Sequence, residues 1–139
     1  MVYQCEVGWR GRTLQRKLDG SGGRILGART LERSSVTSDV LTSVGGGLAC
    51  TAGDFVIDPV RPTETSVVTH AHADHARPGA KVVHCSEEGA LVTRRRVGDA
   101  AKIVTHAWGA PFRLGDAVVS LHPAGHIRGS AQVRVEVEV

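Results

Sequence analysis

Apolar and polar residues alternate most regularly near the end of the chain. Over residues 131–139, valine occupies every second position from Val133 onward, and amide or charged residues fill the positions between. An alternation of period two predicts a strand with one face packed on a core. No sequence for a further partner strand follows it, so we expect the domain to be truncated on its C-terminal side.

Shorter apolar runs separated by turn residues precede this strand. They predict further strands at 55–57, 66–69, 81–85, 102–105 and 117–121. One helix is predicted after Ser86, a residue that can cap a helix N-terminus, and it should end before Gly98. Acidic residues follow Ser86 and arginines precede Gly98, which suits the helix dipole. The pattern therefore indicates an α/β domain.

Residues 1–46 have a different composition from the rest of the chain. They are rich in Gly, Ser, Thr and Arg, and glycines cluster at 20–23 and again at 45–47. A short helix at 14–18 is compatible with the sequence, but no apolar period is sustained. We expect 1–46 to be a largely disordered or loosely attached leader, and 47–139 to be the domain.

Composition and charge exclude several classes of protein. The chain of 139 residues is 41% hydrophobic and 22% charged, which suits one soluble domain without a membrane span. Its three cysteines have no paired spacing, so neither a disulfide framework nor a cysteine-based zinc site is predicted. We expect a cytoplasmic protein. The net charge of +3 arises within 1–46, and 47–139 holds as many basic as acidic residues, so bulk charge indicates no partner.

A dense cluster of metal-ligating residues follows the strand predicted at 66–69. His70, His72, Asp74 and His75 lie within six residues. Imidazole nitrogen and carboxylate oxygen are ligands of zinc and similar divalent ions. The alternative is a solvated histidine-rich loop, but the cluster directly follows a buried type of strand, where α/β proteins place ligand sites. The residues therefore predict a metal site.

A second loop, between the last two predicted strands, contains His126. Gly125 and Gly129 allow a sharp turn that would aim this side chain. His126 is a weak candidate by itself, but it would supply a further ligand to the first cluster. The sequence assigns the other histidines no role: His84 and His106 fall on or beside strands, and His122 is separated from His126 by a proline.

The sequence resembles a known family at these same positions. Residues 70–75 resemble the H-x-H-x-D-H signature of the metallo-β-lactamase superfamily. Residues 123–126 with 129–131 resemble the third motif of its nucleic-acid-processing branch, the β-CASP nucleases. Residues 52–59 and 68–80 are similar to bacterial ligase-associated DNA exonucleases, also described as mRNA 3′-end-processing-factor homologues. The resemblance covers 47–139.

The resemblance implies a fold and a set of metal ligands. The fold would be the metallo-β-lactamase αββα sandwich, with its N-terminal half present. His70, His72 and His126 would hold one zinc. Asp74 and His75 would contribute to a second, so a complete site holds two zinc ions, with Mn²⁺ as a possible substitute.

Two aspartates acquire more specific roles from the resemblance. Asp74 would also orient the water that attacks the phosphodiester, which makes it the implied catalytic residue. Asp58 matches the first acidic motif of the family and would orient the metal loop from behind the ligands.

The implied activity is zinc-dependent phosphodiester hydrolysis by a DNA exonuclease that works with an ATP-dependent DNA ligase and a helicase. The alternatives are an RNA 3′-end-processing nuclease, a thioesterase or lactamase of the same fold, and an inactive fragment. Arg128 stands where relatives usually have an apolar residue and would add a phosphate contact, as would Arg94, Arg95 and Arg96 at the end of the predicted helix. The family's bridging aspartate, its last histidine and its cap fall outside 1–139. We therefore expect this chain to bind about one zinc and to have little or no nuclease activity.

Overall fold

The structure is a computed structural model that describes residues 2–7, 13–18 and 40–138. It is a mixed α/β arrangement of two β-sheets and one short helix. The strands in the described residues are β1 (Val2–Val7), β2 (Thr13–Leu18), β3 (Thr42–Val44), β4 (Gly47–Cys50), β5 (Phe55–Ile57), β6 (Thr63–Val67), β7 (Ala80–Ser86), β8 (Lys102–His106), β9 (Phe112–Leu114), β10 (Ala117–Pro123) and β11 (Ala131–Glu138). The strands predicted from residue 55 onward are thus confirmed, with bounds shifted by a few residues.

The two sheets differ in strand direction. The first sheet has the order β2-β1-β11-β10-β9, and all its pairs are antiparallel. The second has the order β3-β4-β5-β6-β7-β8, in which β5 to β8 pair in parallel. Because parallel strands end at the same edge of a sheet, the loops that follow β5, β6 and β7 meet at one edge.

Two apolar clusters hold three layers together. Between the sheets, residues such as Ile57, Val67, Leu121 and Val133 have at most 2% of their surface exposed. On the other face of the second sheet, a smaller cluster centred on Val83 packs against the helix. The order of layers is therefore helix, mixed sheet, antiparallel sheet.

The helix begins and ends where the sequence predicts. A 3-10 turn at Glu87–Gly89 leads into α1 (Ala90–Val97). The Ser86 hydroxyl accepts a hydrogen bond from the Gly89 amide at 3.1 Å, which satisfies one free amide at the start of the helical segment. Gly98 ends α1 with a positive φ of 85°, a conformation that glycine adopts without strain.

The prediction that 1–46 is a non-domain leader is wrong for the described part of that segment. β1 pairs with β11 along its whole length, and β2 pairs with β1. The helix suggested at 14–18 is instead part of β2. A six-residue strand is too short to produce a sustained period, and its pairing with neighbouring strands stabilises it. Residues 8–12 and 19–39 lie outside the described part, so the prediction of disorder is not tested there.

The domain boundary at residue 47 is corrected as well. Val40 and Leu41 are buried in the core between the sheets. β3 and β4 form a hairpin whose turn consists of Gly45 and Gly46, both with positive φ. A two-residue turn of this kind requires left-handed residues, which is why glycines occur there. Composition alone places these glycines at the end of the leader.

β11 is paired along both edges, with β1 on one side and β10 on the other. The partner strand that the sequence seemed to lack therefore lies upstream, at Val2–Val7. Within the described residues, no helix has the length and hydrophobicity needed to cross a membrane.

Candidate metal centre

The histidine loop begins at the end of β6, at the edge where the parallel strands end. The Val68 amide donates to the His84 carbonyl at 2.9 Å, which carries the sheet pairing up to the start of the loop. The amides of His75 and Ala76 both donate to the His72 carbonyl, at 3.0 and 2.8 Å. These bonds close a tight turn and fix the backbone that carries three of the imidazoles.

The second loop is held against the first by backbone contacts. The Ala131 amide donates to the Thr69 carbonyl at 2.8 Å, which joins the start of β11 to the residue before His70. The Ser130 hydroxyl accepts hydrogen bonds from the amides of His126 and Ile127, at 3.0 and 3.2 Å. Ser130 is 4% exposed, so these bonds form in a nearly dry environment and fix the turn that presents His126.

A close glycine contact fixes the second loop against the start of the helical segment. The Ser86 hydroxyl donates to the Gly129 carbonyl at 2.6 Å while it accepts from Gly89. A Cβ atom built on Gly129 would lie 2.3 Å from the Gly89 nitrogen, and φ of Gly129 is +78°. Only glycine fits at this contact.

Three imidazoles meet where the two loops touch. One ring nitrogen from each of His70, His72 and His126 lies within 4.8 Å of the others. The ring centroids are 4.9 Å apart in every pair, and the interplanar angles lie between 76° and 85°. Three ring nitrogens that converge in this way can hold a shared cation.

The spacing between two of these nitrogens fits a zinc ion. His126 Nε2 lies 3.2 Å from His72 Nδ1. With Zn–N distances of about 2.0–2.1 Å and tetrahedral angles, two nitrogens on one zinc ion lie about 3.3 to 3.4 Å apart. The donor set of three imidazoles, two of them at this spacing, therefore suits a zinc ion.

His70 is the most buried of the three, and its environment keeps it neutral. It is 6% exposed, and burial, followed by the neighbouring His75, lowers its pKa to about 4. Thr69 Oγ1 lies 2.9 Å from His70 Nδ1 and donates its own proton to Asp58 Oδ2. The hydroxyl must then accept from His70 Nδ1–H, which leaves a lone pair on Nε2. A neutral imidazole with one free lone pair is the form that binds metal.

Asp58 orients a second imidazole directly. Its Oδ2 lies 2.7 Å from His75 Nδ1, and its Oδ1 accepts from the Thr69 amide at 2.8 Å. The hydrogen bond to Asp58 raises the pKa of His75. Asp58, His70 and His75 also lie close enough to form a metal-binding group. Asp58 is already engaged by three hydrogen bonds, so its geometry suits orienting the histidines, with Nε2 of His75 turned away from it.

Asp74 lies at the exposed rim of the cluster. Its side chain is 72% exposed, and its Oδ2 is 3.4 Å from His75 Nε2. A hydrogen bond from its own amide, followed by the charge of His75, lowers the pKa of Asp74, so the carboxyl is ionised at neutral pH. A carboxylate beside the free nitrogen of His75 can share a cation with it or accept a proton from water.

The four arginines suggested as phosphate contacts have different environments. Arg94 donates to the Ala101 carbonyl at 2.6 Å and so stabilises the loop after α1. Arg96 donates through Nε to the Ala71 carbonyl in the histidine loop, at 3.2 Å. Arg95 and Arg128 are exposed.

Sequence reasoning missed the residues that orient the ligands. Thr69 connects Asp58 to His70, and Ser130 holds the backbone of His126. Each is adjacent to a predicted element, but a threonine or a serine near a histidine in sequence is too common a pattern to be informative. Their roles depend on contacts between residues far apart in the chain.

The remaining histidines lie outside the cluster. His84 and His106 are hydrogen-bonded to each other at 2.8 Å, and His106 stacks on Phe112 with ring centroids 3.4 Å apart. His122 contacts Ser120.

Comparison with known proteins gives one informative similarity. The chain is 40% identical over 83 residues to a probable DNA ligase from Opitutus terrae. The matched region takes in 58% of this chain and 8% of the ligase, so the chain spans only a small part of that protein. No protein family and no solved structure matches the chain.

Proposed function

We propose that this chain carries the metal-binding part of a zinc-dependent phosphodiester hydrolase of the metallo-β-lactamase fold, which acts on DNA. The observation that carries the proposal is the convergence of His70, His72 and His126 from two loops. The helix, sheet, sheet layering and the position of the loops at one sheet edge agree with such a fold. They are also compatible with other α/β folds, so the proposal depends on the site.

Different residues of the chain would bind the two metal ions. His70, His72 and His126 would hold one zinc ion, while His75 and Asp74 would contribute to a second. When bound, the ions would lower the pKa of a water and offset charge on the phosphodiester. Mn²⁺ could serve in place of zinc, since imidazole and carboxylate also bind it.

Asp58 and Asp74 would act on protons and orientation. Asp58 fixes the tautomer of His75 directly and that of His70 through Thr69. Asp74 is ionised and exposed, so it can hold the attacking water and accept its proton.

DNA is the favoured substrate because of the similarity to a probable DNA ligase. The matched region is 8% of that protein's length, so the activity in its name can reside elsewhere in it. A hydrolase segment within or beside a ligase would supply trimmed ends for joining. A DNA ligase is therefore the proposed partner, and the family resemblance adds that this ligase would be ATP-dependent and accompanied by a helicase.

Cleavage of end-labelled DNA and RNA of the same sequence tests the proposal. The purified chain, in excess over substrate and supplied with zinc or manganese, should release nucleotides slowly from DNA. A chelator should stop the release, as should His72→Ala and Asp74→Ala. His122→Ala is the matched control, because His122 lies at the end of β10 but outside the cluster, and it should leave cleavage unchanged.

The other outcomes distinguish the alternatives. Cleavage of RNA alone would contradict the DNA assignment and favour 3′-end processing. Zinc binding without cleavage of either polymer would assign this chain to the inactive metal-binding alternative. Hydrolysis of a thioester or lactam without phosphodiester cleavage would move the chain to another class of the same fold.

A further inference from the structure

Two arginines are anchored to the histidine loop itself. Arg96 donates through Nε to the Ala71 carbonyl at 3.2 Å. Arg77 donates through Nε to the Asp74 carbonyl in a longer contact of 3.4 Å. The two carbonyls flank His72 in the loop that carries the metal-binding candidates. The arginines come from different elements, since Arg96 lies in α1 and Arg77 follows the loop.

The way each arginine is held leaves most of its guanidinium available. A guanidinium has five N–H donors, and the Nε anchor uses one of them. No hydrogen bond or ion pair is found for the Nη atoms of either arginine within residues 40–138. Both residues are exposed at this rim. An arginine fixed at Nε presents its two Nη groups in a defined direction, which suits a planar or tetrahedral oxyanion.

The neighbouring arginines provide a contrast. Arg94 uses an Nη group to hold the Ala101 carbonyl, so part of its fork is occupied within the fold. Arg113 lies elsewhere, in an acidic cleft of the first sheet with Asp116, Glu136 and Glu138. Residues 40–138 hold ten acidic and ten basic side chains, yet two arginines are anchored to the histidine loop while three acidic residues line the cleft of the first sheet. The charge is therefore separated across the domain.

We propose that Arg77 and Arg96 form an anion-binding pair for a backbone phosphate of a nucleic-acid strand, next to the phosphate that is cleaved. The proposal rests on the proposed function for the identity of the strand. The pair would fix the register of the strand before hydrolysis, because its anchors lie on the carbonyls either side of His72. A substrate that has no phosphate next to the cleaved one would not bind to the arginine pair.

Binding of a fluorescein-labelled single-stranded oligonucleotide tests the pair. Anisotropy is measured with a chelator present, so that no cleavage occurs, over a range of salt concentrations. Arg77→Gln and Arg96→Gln should each weaken binding by about tenfold, as expected for loss of a charge-assisted hydrogen bond. Each should also reduce the slope of log affinity against log salt by about 0.7, the effect of one phosphate contact on single strands. Arg113→Gln is the control and should change neither quantity.

Zinc affinity separates an anion-binding role from a structural one. Both glutamine variants should bind zinc like the wild-type chain, and Arg96→Lys should recover part of the oligonucleotide affinity. Zinc binding that falls together with oligonucleotide binding would show that the arginines only support the loop. An equal loss in Arg113→Gln would show a diffuse charge effect. Either result, or wild-type affinity in the two glutamine variants, would overturn the proposal.

Zinc affinity and oligonucleotide affinity together distinguish a failure of the anion-binding pair from a failure of the proposed metal site. If the wild-type chain binds no zinc but the arginine variants lose oligonucleotide binding, the anion site stands and the metal site fails. If zinc binds normally and the arginine variants bind the oligonucleotide like wild type, the metal site stands and the anion-binding pair is refuted.

Discussion

His126 Nε2 lies 3.2 Å from His72 Nδ1, although the two residues are 54 positions apart in sequence. The second loop supplies only one imidazole to the cluster, so a site of three histidines needs both loops. We expect His72→Ala and His126→Ala each to weaken zinc binding by more than the roughly 10- to 100-fold that accompanies loss of a group orienting a ligand. Calorimetric titration measures this, and His122→Ala serves as control. Wild-type zinc affinity in His126→Ala would remove the second loop from the site.

Asp58 should support the site without binding the metal itself. Its carboxylate accepts from the Thr69 amide, the Thr69 hydroxyl and His75 Nδ1. An amide of the same shape cannot accept all three, so Asp58→Asn should weaken zinc binding by about 10- to 100-fold. It should also lower the free energy of unfolding of the metal-free chain by about 1–3 kcal/mol.

Asp54→Asn provides the matched control for Asp58, because Asp54 also has a positive φ but is exposed and lies outside the cluster. Zinc titration and urea unfolding check both variants. Equal effects in the two variants would mean that the hydrogen bonds of Asp58 do not explain the loss.

Two glycines of the second loop should respond differently to the same substitution. Gly129→Ala places a methyl group 2.3 Å from the Gly89 nitrogen, so the loop must move away from the helical segment. Gly125 has a similar φ of +72°, but a Cβ atom there meets nothing within 4 Å. Gly125→Ala should therefore cost only the left-handed backbone penalty of about 1–2 kcal/mol.

Gly129→Ala should cost more than Gly125→Ala in urea unfolding, and it should also weaken zinc binding, because His126 moves with the loop. If both glycine variants lose the same stability, the close contact between Gly129 and Gly89 does not exist in solution.

His84 should make the stability of the fold depend on pH. Burial, followed by the charge of His106, lowers the pKa of His84 to about 4 in the folded chain, against an ordinary value of 6.5. The unfolded chain therefore binds the proton more readily, so stability is highest above pH 6.5 and falls as the pH decreases towards 4. Protonation of His84 should lower the free energy of unfolding by an amount on the order of 3 kcal/mol over this range.

The His84→Gln variant should lose that part of the pH dependence between pH 6.5 and 4, measured as the difference from wild type in urea unfolding across the range. Parallel curves for the two proteins would show that His84 is protonated as easily when folded as when unfolded.

The elements beyond residue 55 could be predicted from sequence because their signals are local. β11 has a clear alternation, and the helical segment has a cap at Ser86 and a terminator at Gly98. The histidines between His70 and His75 could be recognised for the same reason, as they occupy one short window. Their spacing along the chain already restricts where the side chains can point.

The errors arose where a structure depends on a distant partner. β1 is six residues long, and it joins the sheet by pairing with β11, at the other end of the sequence. Composition assigns Gly45 and Gly46 to the predicted leader, because it does not distinguish a flexible segment from a hairpin turn. Thr69 and Ser130 escaped notice because their importance lies in contacts that spacing does not reveal.

We infer that imidazoles from two separate loops hold one zinc ion. X-ray absorption at the zinc K-edge of the zinc-loaded chain tests it most directly, because the spectrum reports the identity and distance of the ligands. The account predicts three imidazole nitrogens at about 2.0–2.1 Å, falling to two in His126→Ala. Sulfur at about 2.3 Å would instead implicate one of the three cysteines of the chain, and a shell of oxygen alone would indicate surface binding. Either of those spectra would contradict the metal centre described here.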